Sequence, residues 1–160
     1  MGVSGTGKST VATLLAQHLG WPMAEGDDFH SAANVAKMHA GHPLTDADRL
    51  PWLHSIADWI GAREAAGSGG VVTCSSLKRS YRDLLRDGHP DVRFVCLVGS
   101  RELLESRLDH RVGHFMPASL LDSQLATLEP LQPDEPGATI DVSASPPQIE
   151  REALAILGVT

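Results

Sequence analysis

The chain has few aromatic residues, almost no cysteine, a shortage of positive charge and no long apolar run. Phe, Trp and Tyr together make up 4% of its residues, which leaves aliphatic side chains to fill any core. Its two cysteines, Cys74 and Cys96, lie in the apolar stretches VVTC and FVCLV and show neither CxxC nor Cys/His metal spacing. Buried, reduced thiols fit best, since cytosolic cysteines stay reduced and core cysteine is common. With 13 Lys and Arg against 20 Asp and Glu, the net charge of -7 gives nucleic acid no basic surface on which to displace counterions. No apolar run approaches the roughly 20 residues that cross a bilayer. Met1 leads straight into a glycine-rich loop, without a signal-peptide core. A cytoplasmic protein with neither nucleic acid nor membrane as partner is expected.

What the chain does have is an alternation. Four short apolar runs predict strands at 22–25, 70–74, 92–98 and 138–142. Helical patterns lie between and around them. KSTVATLLAQHLG puts Val11, Leu14, Leu15 and Leu19 on one face and stops at Gly20. Thr45 and Asp48 stand in capping-box spacing at the head of a long helix with Leu50, Leu53, Ile56 and Ile60 on one stripe. Pro51, beyond the first helical position, predicts an irregular first turn. SRELLESRLDHR and PPQIEREALAILG are amphipathic as well. Strand–helix alternation in 160 residues predicts one α/β domain over 1–160. Its parallel sheet should carry helices on both faces and bind ligands at the C-terminal ends of the strands.

The opening residues MGVSGTGKST contain the pattern G-x-x-x-x-G-K-[ST] at Gly2, Gly7, Lys8 and Ser9, and a helix follows directly. Such glycines let successive amides converge on phosphate oxygens, and the helix N-terminus adds partial positive charge. On this reading Gly2, Ser4, Gly5, Thr6, Gly7, Lys8, Ser9 and Thr10 hold a nucleotide. Lys8 reaches the β- and γ-phosphates and Ser9 ligates Mg2+. The plain alternative is a Gly/Ser turn capping a helix. A P-loop follows a central strand; that first strand is expected to be absent from this sequence, with Met1 its last residue and stability lost to the gap.

Three further segments bear on a phosphate acceptor. EGDDFH follows the first predicted strand, so Asp27 projects into the crevice, where a carboxylate can orient an acceptor hydroxyl and take its proton. A solvated Gly-Asp-Asp turn is the alternative. CSSLKRSYRDLLR concentrates Lys78, Arg79, Arg82 and Arg86 in an acidic chain, with Lys78 and Arg82 four apart on one helix face. That pair suits an anionic substrate or the transferring phosphoryl group, unless it is an ordinary basic solvent face. RLDHRVGHFMP places Arg107 and Arg111 where they can close on nucleotide phosphates, if Gly113 and Pro117 bracket a lid. The alternative there is an exposed helix end, and His114 reads as a lid-packing residue.

Taken in order, GVSGTGKST, EGDDFH, NVAKMHAGHPLTDADRLPWL, CSSLKRSYRDLLR and ESRLDHRVGHFMPASLLDSQLATLEPL resemble the gluconate kinase family of small P-loop kinases over nearly the whole chain. The stretch 34–53 carries most of the weight, because the wider P-loop family does not share it. The resemblance implies transfer of the ATP γ-phosphate to the 6-hydroxyl of D-gluconate, with Mg2+ as cofactor. It also implies the P-loop kinase fold with a five-stranded parallel sheet, a mobile helical lid over roughly 107–130, and a homodimer. Carried over by position, Lys8, Asp27, Lys78 and Arg111 are catalytic, and Arg107 and Arg111 join the loop on the nucleotide. Asp27, His30, Lys37, Arg49, Lys78 and Arg82 hold the sugar acid. Ser31 stands where the family usually has proline, and Ser76 where it usually has alanine. Two other readings stay open: a kinase of this fold for another acceptor, such as shikimate or a different sugar acid, and a nucleotide-binding module that transfers nothing.

Overall fold

Short β-branched runs become strands here, and the amphipathic stretches between them become helices. The computed structural model describes residues 1–110 and 118–159, apart from the side chains of 118 and 119. Along the chain come α1 (Lys8–Leu19), β1 (Met23–Glu25), a 3-10 turn (Gly26–Phe29), α2 (Ala32–His39), α3 (Asp46–Ala65), β2 (Val71–Thr73) and α4 (Arg79–Arg86). There follow β3 (Phe94–Val98), α5 (Arg101–Asp109), α6 (Ala118–Thr127), β4 (Gly137–Asp141) and α7 (Pro146–Leu157). No described helix is long and apolar enough to cross a membrane.

The expected single sheet is interrupted. β1 pairs in parallel with β2, Met23 opposite Val71 and Glu25 opposite Thr73. β3 pairs in parallel with β4, Phe94 opposite Gly137 and Val98 opposite Asp141. Met1 and Gly2 lie between the two pairs. The Met1 amino group donates to the Val95 carbonyl at 2.5 Å, the Leu97 amide donates to the Met1 carbonyl at 2.9 Å, and the Gly2 amide donates to the Ser75 carbonyl at 3.2 Å. The described residues make four strands in two parallel pairs, where five in one sheet were expected. A Cβ at Gly2 would lie 2.5 Å from the Leu97 carbonyl oxygen, so only glycine lets the loop start this close to β3. Behind Met1 the space between β2 and β3 is a cavity of about 560 Å³, lined in part by Val11, Leu15, Trp59, Val72, Val95 and Leu97.

Each side of the sheet has its own core. On one, Val11 and Leu15 of α1 meet Leu104 and Leu108 of α5, Ile149 and Leu154 of α7, and Ile140 of β4. On the other, Trp52, Leu53 and Ile56 of α3 meet Tyr81 and Leu85 of α4 and Phe94 of β3. Fully burying one such aliphatic side chain is worth about 1.5–3 kcal/mol, so both faces contribute to holding the strands. Cys74 and Cys96 are buried and free, and burial pushes both thiols above their ordinary range.

Helix α3 departs from expectation twice. It is α-helical from Asp46 through Pro51, because the Thr45/Asp48 capping box satisfies the first turn and Pro51 forfeits only its own amide bond. Leu50, expected on the buried stripe, is 47% exposed. Trp52, Leu53 and Ile56 set that stripe, and at 3.6 residues per turn Leu50 is turned about 160° from Trp52.

Candidate active site

The glycine loop turns directly into α1. Gly7 is the N-cap, in the left-handed region at φ 83°, and the first turn of α1 carries no acidic residue to oppose the positive helix end. Two donors converge on the Val3 carbonyl: Thr6 Oγ1 at 2.9 Å and Lys8 Nζ at 2.9 Å. Thr6 is buried, so its side chain braces the loop from inside and only its backbone can face a ligand. Ser9 and Thr10 are exposed on the first turn of α1. From α6, Gln124 Oε1 accepts the Ser4 amide at 2.7 Å, a contact to the loop that the sequence did not single out.

At the end of β1 the chain approaches β2 so closely that a Cβ at Gly26 would lie 2.0 Å from the Thr73 carbonyl oxygen. Thr73 Oγ1 donates to Glu25 Oε2 at 2.6 Å and accepts the Gly26 amide at 3.1 Å. The indole Nε1 of Trp52 donates to the Gly26 carbonyl at 2.6 Å. Gly26 is therefore clamped from both sides, and the exposed carboxylates of Asp27 and Asp28 follow on a short 3-10 turn. His30 closes the turn, its ring stacked on Trp52 at 4.3 Å and 15°. Burial pushes its pKa down; Asp27 opposes that and Arg49 adds to it, which puts Asp27, His30 and Arg49 in one neighbourhood.

Beside that turn, α3 and α4 assemble a cationic cluster around the single tyrosine. Arg49 Nη1 donates to the Tyr81 hydroxyl at 3.2 Å, and the Tyr81 hydroxyl donates to Asp46. Lys78 Nζ lies 3.0 Å from each Asp46 carboxylate oxygen. Both cations also lie over the Tyr81 ring, Arg49 Cζ at 5.7 Å and Lys78 Nζ at 5.6 Å from its centre. The Tyr81 hydroxyl and then Lys78 hold the Asp46 carboxyl below its usual range, while Asp46 raises Lys78. Lys37 sits apart, donating to Asp48 Oδ2 at 2.5 Å. With Thr45 also bonded to it, Asp48 has its pKa lowered to about 2.

Arg82 does not join this cluster. Its side chain is 0% exposed and its Nε and Nη2 donate to Glu135 at 2.5 and 2.9 Å. Its remaining donors go to the carbonyls of Ser76, Leu77, Glu129 and Pro130. Expected on the substrate, Arg82 instead ties the loop after β2 to the 129–135 segment, because every N–H of its guanidinium is already taken. It also holds Ser76 at φ 45°, a left-handed conformation that costs a non-glycine residue about 1 kcal/mol. Arg107 Nη2 donates to the Val142 carbonyl at 2.7 Å, at the end of β4. Arg111, Gly113, His114 and Pro117 lie outside the described residues, as does part of the lid segment.

The structure thus brings together Asp27, His30, Arg49 and Lys78, keeps Lys37 on the neighbouring pair, and removes Arg82 to the interior. Tyr81, Asp46, Trp52 and Glu135 are site or support residues that sequence reasoning passed over. Tyr81 had one signal: it is the only tyrosine and stands three residues after Lys78 on the same helix face.

The AAA domain family model matches residues 1–131. A gluconokinase of Gluconobacter oxydans is 53% identical over 154 residues, covering 96% of this chain and 86% of that protein. Among solved structures, an unliganded sugar kinase from Janibacter sp. has a TM-score of 0.94 at 52% identity, covering 100% of this chain and 92% of that one. A gluconokinase from Sinorhizobium meliloti has a TM-score of 0.90 at 48% identity, covering 99% of this chain and 89% of that one. At such identity across nearly its whole length, the chain belongs to the gluconokinase family of P-loop kinases.

Proposed function

We propose that this enzyme transfers the γ-phosphate of ATP to the 6-hydroxyl of D-gluconate, giving 6-phospho-D-gluconate and ADP. The observation that carries the reading is an exposed carboxylate at the end of β1 beside a tyrosine-centred pair of cations, in a chain that also carries a phosphate loop. A sugar acid needs the first two together: cations for its carboxylate and a proton acceptor for its primary alcohol.

In this scheme the loop amides and Lys8 hold the β- and γ-phosphates and neutralise charge that builds during transfer. Asp27 accepts a hydrogen bond from the 6-hydroxyl, aligns it with the γ-phosphorus and takes its proton as the new O–P bond forms. Lys78 and Arg49 face the acceptor's carboxylate, and His30, stacked on Trp52, supplies a wall beside the sugar chain. Lys37 lines the same segment, and Arg107 and Arg111 are the cations for the nucleotide side. Mg2+ would add charge neutralisation between the phosphates. The exposed Ser9 hydroxyl, a hard oxygen donor on the first turn of α1, suits it.

The reading carries with it a homodimer in the cytoplasm and, from the net charge of -7, no nucleic-acid partner. Magnesium-dependent ADP release with D-gluconate, shikimate or no acceptor tests the function. Release stimulated by gluconate alone supports it; release stimulated by another acceptor, or by none, overturns it.

A further inference from the structure

We propose that Asp46 holds the place of the acceptor's carboxylate against Lys78 and Tyr81 and is exchanged for it when D-gluconate binds. This rests on gluconate being the acceptor. The geometry is that of a filled carboxylate receptor. Lys78 Nζ sits 3.0 Å from both Asp46 oxygens, and the Tyr81 hydroxyl donates to one of them. Arg49 backs that hydroxyl from the far side at 3.2 Å. A carboxylate held between an ammonium and a phenol, with a guanidinium behind the phenol, is what a sugar acid would ask of the site, and the chain supplies one itself.

Asp46 is free to leave. It is the first residue of α3, but the capping box is made by Thr45 and Asp48, so the hydrogen bonds that cap the helix start do not use its side chain. Its described hydrogen-bond partners are Tyr81 and Lys78, and its side chain is 63% exposed. The neighbouring Asp48 contrasts on each point: it accepts from the Thr45 amide, the Thr45 hydroxyl and Lys37. Rotation of a short side chain is enough to vacate the position.

Exchange has a consequence for selectivity. An incoming anion replaces the contacts that Asp46 gives up, and its hydroxyls add contacts elsewhere in the crevice. A neutral polyol of the same length brings no charge to Lys78 and leaves Asp46 in place. Asp46 is therefore an internal competitor that sets the affinity for the carboxylate end of the acceptor and leaves a neutral polyol untouched.

The test compares wild type with Asp46→Asn, Asp46→Ser and Asp46→Glu, measuring kcat and KM for D-gluconate and direct binding of D-gluconate and of neutral D-glucitol. An exposed ion pair shifts an equilibrium about two- to fivefold, so the Asn and Ser variants should bind gluconate tighter by about that factor. Glucitol binding should not change, and Asp46→Glu should restore the wild-type KM for gluconate. Two variants of different shape guard against a folding fault in either. Equal or weaker gluconate binding in both, with wild type active on gluconate, overturns the exchange while leaving the function standing. Wild type without gluconate-dependent turnover overturns the function, and the exchange falls with it.

Discussion

Arg82 and Glu135 form a fully buried, two-pronged ion pair, Nε to Oε1 at 2.5 Å and Nη2 to Oε2 at 2.9 Å, between the start of α4 and the segment before β4. The pair fixes the loop that presents Lys78 without touching the crevice. Glu135→Gln leaves a guanidinium charge buried without its counter-charge and should cost about 3–5 kcal/mol in urea unfolding. The double change Arg82→Met/Glu135→Leu should cost less than that single change. Normal stability in Glu135→Gln with a raised KM for the acceptor would instead return Arg82 to substrate binding.

Lys8→Ala removes the loop's ammonium and should lower turnover by about a hundredfold or more, far more than it lowers the melting temperature. Asp27→Asn should reduce kcat by about a hundredfold and change KM far less, since the carboxylate acts on the reacting hydroxyl. A near wild-type kcat in Asp27→Asn would take Asp27 out of the proton-accepting role.

Trp52→Phe keeps an aromatic face for His30 but removes the indole donor to the Gly26 carbonyl. A buried carbonyl left without a donor costs about 1–3 kcal/mol. The turn carrying Asp27 should loosen with it, so kcat is expected to fall alongside stability. Loss of stability with an unchanged kcat would show that Asp27 does not depend on this clamp.

His30 gives the fold a pH dependence. Burial against Trp52 lowers its pKa, so below the ordinary histidine value of 6.5 the unfolded chain takes up a proton that the folded one resists. Stability is therefore fully present above about pH 6.5 and declines as the pH falls toward the lowered native pKa. Urea midpoints measured between about pH 7.5 and 5.5 should drop more steeply for wild type than for His30→Gln. Equal slopes would mean the imidazole titrates freely in the native state.

Local signals carried far here. The glycine pattern, the strand and helix periods and the Thr45–Asp48 cap were all legible because each depends on neighbours within a few residues. Asp27 and Lys78 were read as residue types following strands, His30 and Arg49 only through the family resemblance, and the fold brings their elements together. Arg82 misled because a basic residue on an amphipathic helix looks alike from either side; its partner Glu135 lies 53 residues away, and nothing local announces the pairing. Tyr81 and Trp52 escaped for a related reason. Each sits on a buried helix face, and only tertiary packing sends its polar atom to Asp46 or Gly26.

The residues that link the two strand pairs are also the first residues of the phosphate loop. Met1 bonds Val95 and Leu97 of β3 and Gly2 bonds the Ser75 carbonyl beyond β2, beside a cavity that both strands line. A nucleotide gripping that loop would act as a rivet across the seam, so occupancy and integrity of the fold become one equilibrium. At a hundred times its dissociation constant a ligand that binds only the folded state adds about 2.7 kcal/mol. In this enzyme that increment falls on the contact between the loop and β3.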